Sequence, residues 1–286
     1  MAHELREVYS NLVDEKLRNE LVTKDNVIFN DRHDGDPTAG AVKIPVRDTE
    51  VAVKEYDRAN GGELSQGATA YISLNIDKDL YVNELIDGFE AAAVPDNVIA
   101  DRLDSAGYSL ALDMDKKCIN LLETADGAKV DDTKTALTKS TIVTKILNAK
   151  TYLSRIGVPA KGRFLIVSPE TAAVLLVADE FTKNINIAED LRVSGSIGKI
   201  YGFDVFESTN LAYGSEDETL QKTVTTEFIA GHPAWCHRVR AWKKNVHLQS
   251  LDGSGKYIGA SAVQGRMVWG AMVSKPQTLF IKRIEA

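Results

Sequence analysis

Two apolar stretches of period two face each other across a polar segment holding a glycine pair, and no other feature restricts the fold so much. Val42, Ile44 and Val46, then Val51 and Val53, alternate before it; Ile72, Leu74 and Ile76 alternate after it. The intervening EYDRANGGELSQGAT carries Gly61-Gly62, which supplies positive φ for a reversal, and its charges keep it in solvent. The pattern predicts a long β-hairpin over residues 42–76. A two-stranded ribbon is marginal in water, so this one needs contacts outside itself.

The second constraint is a helix of unusual length. After Pro95 and Asp96, the residues Ile99, Leu103, Leu110, Met114, Cys118 and Leu121 recur at spacings near 3.6, and Gly127 closes the run. A helix over residues 96–125 would extend roughly 43 Å at about 1.5 Å per residue, more than twice the usual length. It reads as a spine. Ahead of the hairpin, Leu5, Val8, Leu12 and Leu21 form a helical stripe, and residues 30–40 concentrate Asp, Gly and Pro. Residues 1–41 are therefore expected to form an amphipathic arm hinged off the body.

Beyond a polar link the elements alternate in type. Ile142, Ile146, Ala149 and Leu153 mark a helix ending near Gly157 and Pro159, and Arg163–Val167 reads as a short strand. Ser168 then caps a helix with Pro169 at its first position and Glu170 in its first turn. In SGSIGKIYGFDVFESTNL, Gly195, Gly198 and Gly202 punctuate the apolar Ile200, Phe203 and Val205, which predicts strands and turns. Residues 224–286 read as strands that come without a linker and return to the spine. The fold class is α+β, with an arm (1–41), a hairpin (42–76), a spine region (77–139), an inserted lobe (140–223) and return strands (224–286).

The chemistry is notable for what is missing. Lys and Arg total 34 against 41 Asp and Glu, and the net charge of −7 disfavours nonspecific attraction to nucleic acid or anionic lipid. Two cysteines among 286 residues exclude a disulfide scaffold and suit a reducing compartment. The longest apolar run, Ala172–Ala178, is far below the roughly 20 residues needed to cross a bilayer, and the first residues are too charged for a signal peptide. GSGK at 253–256 has Ser250 and Tyr257 where a phosphate-binding loop needs Gly and a hydroxyl-bearing Ser or Thr, so it reads as a hairpin turn. Ser196 and Lys199 lack the companion motifs of serine acyl transfer, and Ser194 stands where a nucleophile elbow needs Gly.

His232, Cys236, His237 and His247 are good zinc-ligand types, but no second cysteine pair closes a site, and they read as packing residues. Trp235, Trp242 and Trp269 read as core or contact anchors; Arg238, Arg240, Lys243 and Lys244 form a basic patch read as a solvated or intersubunit face. The strand-cap-helix unit and this cluster would support a two-lobed α/β metal-dependent enzyme as a remote alternative. No catalytic residue, metal site or cofactor is predicted.

An arm beyond a hinge, an unsupported hairpin and an over-long helix all require neighbours, and copies in a closed symmetric array supply them. Asp57, Arg58 and Glu63 at the hairpin tip and Asp101, Arg102 and Asp104 on the spine are the expected intersubunit charges.

The segments RFLIVSPETAAVLL, GSIGKIYGFDVFESTNL (with Gly198, Gly202, Val205, Ser208 and Leu211) and GRMVWGAMVSKPQTLFIK are similar to recurring segments of one family. The chain thereby resembles the major capsid proteins of tailed double-stranded DNA phages, which share the Hong Kong 97 type fold. The resemblance spans nearly the whole chain, in the order N-terminal arm, E-loop hairpin, P-domain spine helix and axial A-domain. It implies self-assembly as pentamers and hexamers into an icosahedral head shell around packaged DNA, without sequence-specific binding to it. The hairpin would lie across one neighbour and the arm would reach another. It also implies a virion location after assembly in the host cytoplasm, with portal and cement proteins as partners. Some members carry a long N-terminal scaffolding segment; here the hairpin begins within about forty residues, so a separate scaffolding protein is expected. The tip, Asp57–Thr69, holds no lysine for the isopeptide crosslink of some members. An encapsulin-like nanocompartment shell, which uses the same fold, is the alternative reading.

Overall fold

The computed structural model describes residues 16, 18–23, 26–33, 35–36, 38–46, 53–62, 70–89, 98–178, 196–211, 215–217 and 222–285. Leu5, Val8, Leu12, Val51, Glu63, Ser194 and Gly195 lie outside the described residues. In chain order the elements are β1 (Ala41–Val46), β2 (Ala70–Asn75), β3 (Lys78–Asp87), α1 (Val98–Glu123), β4 (Lys129–Thr133), α2 (Ile142–Arg155), β5 (Arg163–Val167) and α3 (Pro169–Val177). Next come β6 (Ser196–Ile200), β7 (Phe203–Glu207), β8 (Ser215–Asp217), β9 (Lys222–Gly231), β10 (Cys236–Ser250), β11 (Ala260–Val273) and β12 (Phe280–Glu285).

Two sheets and one helix organise the body. A mixed seven-stranded sheet runs β4-β12-β9-β5-β7-β6, with β8 on β9; a three-stranded antiparallel sheet runs β10-β11-β3. α1 spans both. Its first half packs Ile99, Leu103 and Ala106 with Val82, Ile86 and Val263 of the small sheet. Its second half packs Met114, Cys118, Ile119 and Leu122 with Phe164, Ile166, Ile229 and Ile281 of the large sheet. At 26 residues it extends roughly 39 Å. The spine thus follows from its apolar spacing.

The large sheet is covered on its other face by α2 and α3. Ile142, Ile146, Ala149 and Leu153 are all fully buried there, with Leu165 and Val167 of β5 beneath them. Each large aliphatic side chain among them contributes roughly 1.5–3 kcal/mol. Alternation therefore sends Phe164 and Ile166 to the spine and Leu165 and Val167 to the helices, so every residue of β5 is buried. The Ser168 hydroxyl accepts from Thr171 N at 3.3 Å, and Pro169 opens α3, as the cap pattern predicts.

Three features depart from the sequence reading: the leading segment, β3 and Val53. Residues 18–21 form no helix; Ile28 and Phe29 of the expected arm are fully buried against α1, and Asn30, the first residue of the expected hinge, donates from its N to Cys236 O at 2.8 Å. A short helix is marginal in water, whereas these groups find core and strand partners. β3 has no counterpart in the sequence reading, although Leu80, Val82 and Ile86 alternate toward the spine. Val53 lies outside any strand and is 99% exposed. The return strands divide between the sheets, β9 and β12 in the large one and β10 and β11 in the small one, and Ile229 of β9 and Ile281 of β12 pack on the spine.

Candidate assembly surfaces

The hairpin is rooted in the body, and residues 57–61 of its tip form a turn of their own. β1 pairs antiparallel with β2, setting Ile44 opposite Ile72, and Ile44 and Leu74 bury against Val239. The root sits so close that a Cβ on Gly270 would fall 2.0 Å from Asn75 O. At the tip, Asp57 Oδ1 accepts from Ala59 N at 2.8 Å, its Oδ2 from Asn60 Nδ2 at 2.6 Å, and its carbonyl from Gly61 N at 2.8 Å. The Ala59 amide and Asn60 side chain hold the Asp57 carboxyl below the usual range. Gly61 has φ of 78°, the left-handed geometry this reversal requires. Asp57 and Arg58 are exposed, as is Tyr56.

The spine charges have partners within the chain. Lys16 Nζ lies 2.6 Å from Asp101 Oδ2, Arg18 pairs with Asp104, and Arg102 lies 3.4 Å from Glu84. Arg18 also sits over the Tyr108 ring, whose hydroxyl accepts from Asn19 N at 2.7 Å. The Arg18 hydrogen bond holds the Asp104 carboxyl low. All three spine residues remain partly open to solvent.

A buried polar hub, invisible in the sequence, anchors the leading segment at Thr23. Asp115 on α1 accepts from Thr23 N at 2.8 Å, Thr23 Oγ1 at 2.7 Å and Asn210 Nδ2 at 2.6 Å. Arg238, read as part of a surface patch, is fully buried, and its Nη1 donates to Thr23 O at 2.5 Å. Burial works against its charge, but the Asp31 carboxylate more than offsets this and raises its pKa. Arg240 of the same patch is exposed and reaches Asp31 at 3.2 Å, while Lys243 and Lys244 are exposed.

The glycine-punctuated segment forms β6, a two-residue turn and β7. Ile200 pairs with Phe203 across Tyr201 and Gly202, which have φ of 48° and 91°. Positive φ at both central residues is the turn that matches strand twist. Gly198 lies in β6 at a register irregularity.

The His and Cys residues are spent on structure. His237 contacts Asn30 Oδ1 and Ser274 Oγ at 3.1 Å each; His232 accepts from Ala234 N and contacts Lys161 O at 3.0 Å; His247 contacts Asn245 O. Burial pushes the Cys118 thiol up to about 12 and also raises that of Cys236. Among the described residues no group of three or more His, Cys, Asp or Glu could hold a metal. No described helix is long and apolar enough to cross a membrane. GSGK lies in the β10–β11 connection, where Gly255 has φ of 70°.

On the solvent face of the small sheet lies an open groove of about 880 Å³, lined by Asp79, Tyr81, Asn83, Trp242, Lys244 and Arg266 among others. Arg266 donates to both Asp79 oxygens, at 2.8 and 2.5 Å, and its guanidinium lies 5.8 Å from the Trp242 ring centroid. Tyr81 is 73% exposed.

A family model described as phage capsid protein matches residues 89–280. Among solved structures, one from Mycobacterium phage Che8 superposes with a TM-score of 0.72 at 19% identity, covering 97% of this chain and 96% of that one. The capsid structure of the cyanophage P-SCSP1u gives 0.74 at 15% identity, covering 97% and 92%. The capsid of an empty GTA particle gives 0.69 at 11% identity, covering 99% and 96%. No curated protein matches significantly.

Proposed function

The chain belongs to the phage capsid protein family, and from that premise we propose that its copies close into an icosahedral head shell of pentamers and hexamers around packaged DNA. As a member of that family it is a coat protein, a structural subunit and not an enzyme, with the α+β Hong Kong 97 type fold. The reading extends to a tailed double-stranded DNA phage, assembly in the host cytoplasm, and a separate scaffolding protein, a portal and cement proteins as partners. Packaged DNA is enclosed without sequence-specific contact, in keeping with the net charge of −7.

One observation carries this reading. The hairpin root is packed on Val239, whereas the hydrogen bonds that Asp57 makes at the tip all close within residues 57–61. Such a ribbon is marginal in water on its own, and a neighbouring copy is the support this reading assigns to it. The groove bearing Tyr81, Trp242, Lys244 and Arg266 offers aromatic faces and charges suited to receive Asp57, Arg58 and Glu63 from another copy. In the lobe, the Tyr201–Gly202 turn and Gly198 shape an edge that faces the five- and six-fold axes, with Gly195 just before it in sequence.

Excision of Asp57–Thr69 tests the reading. The truncated subunit is expected to keep its thermal unfolding transition and lose assembly. Unfolding of the truncated chain, or unimpaired shells, contradicts it.

A further inference from the structure

Asn60 is the only asparagine of the chain that a glycine follows, and it stands exposed at the hairpin tip. The backbone nitrogen that follows an asparagine can attack its side-chain Cγ, and glycine, with no side chain to obstruct the approach, hinders that attack least. Nothing lies within 4 Å of where a Cβ on Gly61 would stand, so water reaches the bond. Asp57 holds both reacting groups. Its carbonyl accepts from Gly61 N at 2.8 Å, and its Oδ2 accepts from Asn60 Nδ2 at 2.6 Å. The first bond covers the proton that the nucleophile has to lose, and the second ties down the nitrogen that has to leave. The Ala59 amide and Asn60 hold the Asp57 carboxyl below its usual range, so it is an anion at neutral pH. Asn30 and Asn210, by contrast, are followed by Asp31 and Leu211 and are hydrogen-bonded within the body.

We propose that Asn60 is a self-modification site, hydrolysed by water to a carboxylate, and that Asp57 is the guard that sets its rate. Gly61 N gives its proton to a solvent base and bonds to Asn60 Cγ; the Cγ–Nδ2 bond breaks, and the nitrogen takes up protons and leaves as ammonia. Water then opens the cyclic imide at either carbonyl. Amide and water have become carboxylate and ammonium, with nothing oxidised or reduced. The product disrupts its own turn. A donor to Asp57 Oδ2 becomes an acceptor, which sets two carboxylates where an amide bonded at 2.6 Å, and opening at the backbone carbonyl also lengthens the main chain between Asp57 and Gly61. The step does not reverse in water, so a subunit that stays free accumulates it. A subunit altered at the tip is withdrawn from assembly; that consequence rests on the shell reading, whereas the hydrolysis does not.

Mass spectrometry of the digested full-length chain tests this, reading the amide-to-carboxyl shift in the peptide that carries Asn60. In urea at mildly alkaline pH, Asn60 should convert about tenfold faster than Asn30 or Asn210. In the folded chain its conversion should slow about tenfold, the effect expected of a hydrogen bond to a charged group. Asp57→Ala should bring the folded rate back to within about twofold of the rate in urea. Equal rates at Asn60 and Asn210 in urea overturn the site, and an unchanged folded rate in Asp57→Ala overturns the guard. Asn60→Asp carries one of the two products from the outset and should lose shell yield about tenfold, measured by sedimentation and electron microscopy. Full yield from that variant overturns the withdrawal from assembly. If the unsubstituted chain forms no shell, the shell reading fails, while the conversion rates still decide the site and its guard.

Discussion

Arg238 on β10 grips Asp31 from 207 residues away, donating from Nε to Oδ1 at 2.8 Å and from Nη2 to Oδ2 at 3.1 Å. With its third contact on Thr23 O, this buried guanidinium ties the leading segment to the small sheet. Arg238→Met should destabilise the subunit by about 3 kcal/mol, because Asp31 and the Thr23 carbonyl lose a charged donor. Arg238→Lys should recover less than half, since an ammonium cannot supply the fork. Urea unfolding reads both, and a loss below about 0.5 kcal/mol for Arg238→Met would refute the role.

Asp115 joins three parts of the chain at one carboxylate. Asp115→Ala should cost about 2–3 kcal/mol and speed amide exchange at Thr23, while Leu165 in the centre of the large sheet stays protected until global unfolding. Asp115→Asn should cost less, because its carbonyl still accepts from Thr23 while its NH2 meets that of Asn210. Equal losses for both variants would contradict this geometry.

His237 makes stability pH-dependent. Burial, with the charges of His33 and Arg32, lowers its pKa to about 4. In the unfolded chain it titrates near 6.5, so between those values the unfolded state binds the extra proton and stability rises with pH. The contribution is complete above about pH 6.5 and falls away toward pH 4, by roughly 1.4 kcal/mol per pH unit across the middle of that window. His237→Gln should flatten this part of the profile of Tm against pH; an unchanged slope would show that other groups set it.

Gly202 closes the β6–β7 turn at a φ of 91°, where an L side chain is strained. Gly202→Ala should therefore destabilise by about 1–2 kcal/mol, read by thermal unfolding. A neutral result would mean that the turn relaxes to another type.

The legible parts of the fold are local. α2, β5 and α3 follow from the spacing Ile142, Ile146, Ala149, Leu153 and from the Ser168-Pro169 cap, all within about thirty residues. The hairpin root and the spine follow in the same way from period. The sequence hides pairings between distant segments, because nothing local marks them: β3 with β11, Asp115 with Thr23 and Asn210, Arg238 with Asp31. Arg238 stands among exposed cations in sequence, and the partners that offset the cost of its burial, Asp31 and the Thr23 carbonyl, lie far away in the chain. Asp101, Arg102 and Asp104 are visible as spine charges, but their partners Lys16, Glu84 and Arg18 are not.

Electron microscopy of the purified full-length chain at assembling concentration tests the central claim most directly. Closed shells of uniform diameter, with subunits clustered about five- and six-fold axes, are the predicted result. A discrete monomer that persists as concentration rises would contradict it.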